Sequence, residues 1–365
     1  MSESVKPPAC LTICVSAVVE NYRLCRSLAG VEAAAVVKAD AYGLGMEPVA
    51  SALAAAGCPI FFVARIEEGI ALRARLPKAR IFVLDGASEE TARALIAHRL
   101  IPVLNSLGET DAWSKAASAR RTSLDAAVHV DTGMNRLGLP PAELSVLASE
   151  ATQRLAGLDL VLVMSHLACS DDPASAMNAI QLARFRAALA TLPPAAASLS
   201  ASGGVLLGKD YAFDLVRPGI ALFGGNPRRN PPNPFTTVAR LAGRILQLRR
   251  VDKWESVGYG ATFRTERPTT LATVGLGYAD GLMRAIANRG AGAIGGVRAP
   301  IVGRVSMDLV SLDVTDIPSA AVGSEVEFLG DTISLEDMAA AAGTANYEIL
   351  TRLGSRFPRV HTGAP

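Results

Sequence analysis

The stretch VVKADAYGLG, residues 36–45, begins as an apolar strand and sets a single lysine where the apolar run stops. Ala33 to Val37 supply no polar face for Lys38 to lie on, and Tyr42 and two glycines follow closely. An ordinary lysine, with a pKa of about 10.4, is protonated and not nucleophilic. Desolvation at the end of an apolar strand lowers that pKa and frees the amine for imine chemistry. A lysine that snorkels to the surface and pairs with Asp40 satisfies the same residues. On this stretch alone both readings stand.

Working outward, the pattern repeats. From residue 33 to about 224 short apolar runs alternate with Ala-, Leu- and Arg-rich segments of helical period: AVVKA, FFVAR, IFVLD, IPVLN, AVHVD, VLVMSHL, SLSAS and LVRPGIALFG. Nearly continuous apolar strands alternating with helices imply a parallel sheet buried on both faces. Eight such units predict an N-terminal (β/α)8 TIM-type barrel over residues 1–224, with the first twelve or so residues free to join the C-terminal β domain. A polar residue closes each run: Lys38, Arg65, Asp85, Asn105, Asp131, His166, Ser202 and Arg217. In a βα barrel such positions converge on one rim, the face that carries active sites.

GGNPRRNPPNPF (224–235) interrupts the pattern and reads as a stiff, proline-rich linker over 225–235. Beyond it, glycine turns separate the strand-like runs RLAGRILQLRRV, TTLATVGLG, APIVGRVSMDLVSLDV and SEVEFLG, which predicts a mostly antiparallel β domain over 236–365. An Ala- and acid-rich stretch over 336–343 predicts a helix within it.

Composition narrows the partners. The chain has 365 residues, 50% of them hydrophobic and 19% charged, with a formal net charge of +2. That length supports a large core, and the near-neutral balance lacks the basic footprint of nucleic-acid binding. Small molecules and other subunits are the expected partners. No apolar stretch is long enough to span a membrane. Lys6 ahead of Ala9–Val19 resembles a leader, but two prolines precede the run and no small-residue cleavage site follows it. Cys10, Cys14, Cys25, Cys58 and Cys169 form neither CxxC pairs nor an even set, so they read as buried thiols of a reducing compartment. The expectation is a cytoplasmic protein with no metal.

Several blocks, in order and across both halves, resemble the alanine racemases, a two-domain pyridoxal-phosphate family. AVVKADAYGLG matches the family's Schiff-base lysine at Lys38, with Tyr42 beside it; HVDTGMNRLG (129–138) contains Arg136; SHLACSDD (165–172) supplies His166 and Asp171. RPGIALFGG (217–225) supplies Arg217, Gly219 and Ile220, and VGYGATF (257–263) places a second catalytic residue at Tyr259. GYADGLMR (277–284) and GRVSMD (303–308) add Tyr278, Arg284, Arg304, Met307 and Asp308 around the entrance and substrate.

The resemblance implies an isomerase that exchanges L- and D-alanine, supplying D-alanine for peptidoglycan. Lys38 holds pyridoxal phosphate and serves one face of the planar adduct; Tyr259 serves the other. A phenol has an ordinary pKa near 10, so only about one in a thousand is ionised at pH 7. A neighbouring cation favours the phenolate, and Arg136 fits that role. Arg217, permanently charged, can only donate and leaves the cofactor's ring nitrogen neutral; His166 is expected to hold Arg217 through a ring nitrogen. Ser202 and Gly203 in SASGG, with the amides of Gly219 and Ile220, offer phosphate donors at adjacent strand ends, where βα barrels commonly bind phosphate. Tyr42 is a further donor. The family is a head-to-tail homodimer, which makes Tyr259, Tyr278, Met307 and Asp308 serve the partner's barrel.

Three positions depart from the family. His129 stands where many relatives carry a carbamylated lysine that orients Arg136, so a bound anion or another acceptor is expected there instead. Ala201-Ser202-Gly203 lacks the asparagine of the family's phosphate loop, and Ser355 replaces a gating tyrosine. A broad-specificity amino-acid racemase is the nearest alternative. A basic amino-acid decarboxylase of similar plan uses a carboxylate at the ring nitrogen and a partner cysteine, against Arg217 and Tyr259. A barrel-only cofactor carrier lacks the second domain.

Overall fold

The computed structural model describes residues 7–228 and 232–363. Lys6 of the leader-like pattern and residues 229–231 of the proline-rich segment lie outside the described residues. The chain forms two compact units. One comprises Val18–Leu222 with the described residues between 226 and 235; the other comprises the chain up to Ala17, Phe223–Gly225 and the chain from Thr236 on.

Strand β1 (Ala9–Cys14) pairs antiparallel with the long strand that opens the C-terminal half, so the apolar run behind Lys6 is a strand followed by the helix Val15–Ala29. The barrel's first strand is split into β2 (Glu32–Ala33) and β3 (Ala35–Val36). Then come β4 (Ile60–Val63), β5 (Arg80–Val83), β6 (Ile101–Leu104), β7 (Leu124–His129), β8 (Leu158–Met164), β9 (Ala196–Ser198) and β10 (Leu215–Val216). β3 to β9 run parallel in chain order, and β10 pairs parallel with β2. An Ala201–Arg217 bridge, with Arg217 N donating to Ser200 O at 2.8 Å, joins β9 to β10 and closes the ring.

The local reasons are plain. β4 (IFFV) and β6 (IPVL) are buried at every residue, as strands sealed between a filled barrel interior and outer helices must be. Helices resume where a hydroxyl can satisfy their first amides: Ser88 Oγ accepts Thr91 N and Ser106 Oγ accepts Glu109 N, both at 3.2 Å. Phe185, fully buried and edge-on to Phe213 at 5.0 Å, helps seal the helix Ala176–Leu189 onto β7 and β8. The run LVRPGIALFG, read as one strand, ends at Val216. Pro218 has no N–H to continue a ladder, and Ile220–Phe223 coils into a 3-10 turn.

In the other unit β11 (Ala239–Val251) is the spine. β12 (Ser256–Val257) and β13 (Phe263–Arg264) form a hairpin, followed by β14 (Thr269–Val274), β15 (Ala291–Ile294), β16 (Val297–Pro300), β17 (Val310–Asp313), β18 (Glu325–Leu329) and β19 (Arg359–Thr362). All pairs here are antiparallel except β1 with β19. The helix expected over 336–343 spans Leu335–Ala342, capped by Ser334 and stopped by left-handed Gly343; a second helix, Asn346–Thr351, gave no clear signal in sequence. Among the described residues no helix is long and apolar enough to cross a membrane.

Candidate active site

Each barrel strand delivers its polar residue just past its C-terminal end: Lys38 after β3, Arg65 after β4, Asp85 after β5, Asn105 after β6, Asp131 after β7, His166 after β8, Ser202 after β9 and Arg217 after β10. Parallel strands in one ring put all eight on one rim. They do different work there. The exposed Arg65 starts a helix, and Asp131 Oδ1 accepts the amides of Gly133, Met134 and Asn135, folding the loop that carries Arg136.

Lys38 is half-buried. Burial pushes its ammonium below the ordinary lysine range, the charge of Arg136 pushes the same way, and Glu68 and Asp85 oppose them. The chain then does something that L-residues avoid. Ala39, Asp40, Ala41 and Tyr42 take φ of 52°, 53°, 53° and 59°, one left-handed turn without a glycine. Each such residue costs about 1–2 kcal/mol in isolation. The turn persists because its polar groups are taken up: Asp40 Oδ1 accepts Met46 N at 2.7 Å, Asp40 O accepts Gly45 N at 2.9 Å, and Glu68 Oε1 accepts Ala39 N at 2.6 Å. The turn swings Tyr42 inward to 7% exposure, against Gly219, where a Cβ would stand 2.2 Å from the Tyr42 hydroxyl.

Arg217 is buried on the same rim. Its Nη1 donates to Ser198 O at 2.9 Å and Ser198 Oγ at 2.5 Å, its Nη2 to Ser165 O at 2.6 Å, and the guanidinium sits 5.9 Å from the Phe62 ring centre. Ser198 and Ser165 therefore hold Arg217, and among the described residues no bond reaches it from the His166 ring. Burial pushes Arg217 down to about 9, which still leaves it cationic at neutral pH. His166 falls to about 3 through burial and the charges of Arg217 and Arg136, so it is neutral.

His129 is buried, its Nδ1 2.9 Å from Asn105 Oδ1. Asn105 Nδ2 donates to Val103 O at 2.8 Å and Leu84 O at 3.1 Å, so its oxygen must face the ring. The imidazole then donates from Nδ1 and keeps Nε2 as an acceptor. Burial and Arg217 push His129 down to about 4. Arg136 is exposed, and among the described residues it makes no hydrogen bond or ion pair.

The Ser202, Gly203, Gly219 and Ile220 group closes the rim between β9 and β10. Ser202 Oγ accepts Gly219 N at 2.9 Å and Ala221 N at 3.2 Å. The amides of Gly203 and Ile220 fall at first-turn positions, where a helix has no internal acceptor, and none is found for them among the described residues. Gly203 is obligatory: a Cβ there would meet Ser170 Oγ at 2.4 Å. Buried orphan donors beside Tyr42 suit an anionic oxygen cluster such as a phosphate. Asp171 is half-buried in the loop after His166.

The remaining expected residues belong to the other unit, where three loops are stitched together. Tyr278 N donates to Ser306 O at 3.0 Å and Ala279 N to Met307 O at 2.9 Å. A Cβ on Gly260 would meet the Arg304 guanidinium at 2.9 Å, so Tyr259 and Arg304 share a corner. Tyr259, Met307 and Tyr278 are 72%, 54% and 43% exposed. Asp308 binds Arg356 at 2.7 Å, and Arg356 also approaches Asp280 at 3.4 Å. Arg284 is exposed in a 3-10 turn. Sequence reasoning missed Glu68, Ser165 and Ser198; an acid three residues after Arg65, at the start of a helix, was the available signal for the first.

Cys25 and Cys58 are buried, and burial raises their thiols to about 12 and about 11; Cys10, Cys14 and Cys169 are only partly buried. The expectation of five buried thiols therefore holds for two.

Comparison with known proteins agrees with this geometry. The N-terminal domain family of alanine racemases matches residues 13–227, and the C-terminal domain family matches 238–361. The alanine racemase of Rhodospirillum rubrum is 47% identical, covering 100% of this chain and 98% of its own. A catabolic alanine racemase of Agrobacterium fabrum is 48% identical, covering 96% and 91%. Among solved structures, the Bartonella henselae alanine racemase with covalently bound pyridoxal phosphate superposes with a TM-score of 0.94 at 40% identity, over 98% of this chain and 100% of that one. A closed parallel barrel with a half-buried lysine at its rim, followed by an antiparallel unit with an exposed tyrosine, in a chain that matches both domain families over nearly its whole length, belongs to the alanine racemase family.

Proposed function

We propose that the chain interconverts L-alanine and D-alanine, with pyridoxal phosphate held on Lys38 and two proton carriers, Lys38 and Tyr259. The observation that carries the reading is the pairing, on one barrel rim, of a lysine destabilised as an ammonium with buried orphan amides at Gly203 and Ile220. When bound, the cofactor supplies an aldehyde that captures the amino acid's nitrogen and a ring that draws electrons away from Cα.

The chain's own residues supply the rest. The Ser202 hydroxyl, the amides of Gly203 and Ile220, and Tyr42 seat the phosphate, while Gly219 N–H holds Ser202 Oγ and its missing side chain leaves room for Tyr42. Arg217, fixed by Ser165 and Ser198, would present to the cofactor's ring a donor that keeps its own proton, and so would supply no proton to a ring nitrogen. Lys38 Nζ takes or returns the Cα proton on one face. Tyr259 Oη does so on the other, with Arg136 and Met307 at the substrate and Tyr278, Asp308, Asp171, Arg284 and Arg304 lining its approach. His129 Nε2, or an anion bound beside it, is the acceptor offered to Arg136 where relatives use a carbamate.

The exposed Tyr259, Tyr278 and Met307 support a homodimer in which they serve the other copy's Lys38. Mixing Lys38→Ala with Tyr259→Ala subunits then restores one intact site per heterodimer; no recovery of activity would place the site within one chain. The reaction itself is tested with L-alanine in heavy water. Loss of optical rotation with deuterium entering Cα is expected, and retention of both rotation and the Cα proton would overturn the reading. D-Alanine for peptidoglycan is the proposed use. The catabolic relative supports a second reading, which D-alanine auxotrophy on deletion would exclude.

A further inference from the structure

We infer that Glu68 is a positioning residue for Lys38: one carboxylate oxygen caps the helix that follows β4, while the other locks the peptide after Lys38 into its left-handed turn. The inference rests on the role proposed for Lys38 and goes beyond it. Glu68 Oε2 accepts Ala64 N at 2.8 Å and Arg65 N at 3.1 Å, the ordinary work of an acid in the first turn of the helix Ile66–Arg75. Capping asks nothing more of it. Yet Oε1 reaches 29 residues back along the chain to Ala39 N, at 2.6 Å. Ala39 is the first of the four left-handed residues, so its amide is where that turn is entered.

A charge-assisted bond at that point opposes relaxation toward ordinary backbone angles, which would carry the Lys38 peptide with it. The same carboxylate also acts electrostatically on the ammonium. The charges acting on Lys38 are Glu68 and Asp85, which favour its protonation, and Arg136, which disfavours it. Glu68 therefore fixes where the amine sits and limits how far its protonation is suppressed.

Glu68→Gln separates the two roles. Glutamine also serves in a capping box. Its one amide oxygen can keep Ala64 and Arg65, which leaves an NH2 group facing the Ala39 N–H, donor to donor. Glu68→Ala removes both contacts. The full chain is compared by amide hydrogen exchange, with and without pyridoxal phosphate. Expected for Glu68→Gln is about tenfold faster exchange over residues 37–46 with 64–75 unchanged, and for Glu68→Ala acceleration in both segments. Equal exchange over 37–46 in wild type and Glu68→Gln overturns the inference.

The chemistry gives a second readout. The Lys38 amine adds to the aldehyde carbon of pyridoxal phosphate, water leaves, and borohydride delivers hydride to the new C=N bond, fixing the adduct for mass analysis. Loss of the Glu68 charge moves the pH midpoint of this trapping downward in Glu68→Gln, and an unmoved midpoint counts against the tuning role. Wild-type protein that traps no adduct at Lys38 sinks the proposed function instead, and the exchange comparison still decides whether Glu68 holds the turn.

Discussion

Replacing Arg73 by methionine should destabilise the barrel while sparing catalysis. Arg73 lies in the helix Ile66–Arg75 and donates to five carbonyls: His98 through Nε at 2.9 Å, Leu76, Pro77 and Ala79 through Nη1 at 3.2, 3.1 and 2.7 Å, and Arg99 through Nη2 at 2.7 Å. These carbonyls belong to the two turns that feed β5 and β6, at the rim opposite Lys38. Methionine keeps the apolar stem and removes every donor. Nη1 shares two N–H groups among three carbonyls, so four engaged N–H groups at about 1 kcal/mol each would total about 4, but the site is half-exposed and water replaces some of them, so a net loss of about 3 kcal/mol is expected. Urea unfolding followed by circular dichroism measures it, and kcat per folded molecule should match wild type, because that rim serves stability rather than chemistry. Stability within about 0.5 kcal/mol of wild type would refute the pinning argument. A large fall in kcat with stability intact would refute the separation of the two rims.

Ser198→Ala removes the hydroxyl that accepts from Arg217 and donates to Leu215 O; a loss of about 1–2 kcal/mol, with kcat falling more than KM changes, is expected from unfolding curves and initial rates. Gly219→Ala drives a methyl into the Tyr42 hydroxyl and should weaken pyridoxal phosphate retention by about tenfold, read by equilibrium dialysis. His129 falls to about 4 in the fold from an ordinary 6.5. Its depressed folded value means that the unfolded chain binds the proton first, so its contribution is complete above about pH 6.5 and is lost as pH falls toward 4. The stability gap between wild type and His129→Gln should shrink by about 3 kcal/mol across that window, and a gap independent of pH would contradict the buried neutral imidazole. Cys25 and Cys58 should resist thiol reagents in the native protein at pH 8, reacting only on unfolding, as mass-resolved labelling will show.

Much of the site is legible along the chain because a βα barrel writes its rim into the sequence at regular intervals. Where an apolar run buried on both faces stops, the next polar residue has only the rim to occupy, which located Lys38, Asn105, His166, Ser202 and Arg217 together. What holds those residues was not legible. Arg217 was expected to lean on His166, but carbonyls of Ser165 and Ser198 reach it first, and a backbone carbonyl leaves no trace in side-chain identity. The first twelve or so residues were left free to join the β domain, and the pairing of Ala9–Cys14 with β11 and β19 decides it for that strand.

The sequence by itself determined that apolar strands and helices alternate, that Lys38 and Tyr259 stand in blocks that resemble those of the alanine racemases, and that His129 cannot form a carbamate. These are properties of residue type and of spacing along one chain. Tertiary structure alone decided that Ala39–Tyr42 wind left-handed, that Glu68 grips the amide after Lys38, and that His129 keeps its Nε2 lone pair by donating to Asn105. The Glu68 and Asn105 contacts depend on groups separated by 29 and 24 residues meeting at hydrogen-bond distance. Local preference opposes a left-handed turn of alanine, aspartate and tyrosine, and the bonds of Asp40 to Gly45 and Met46 together with the distant Glu68 overcome that preference.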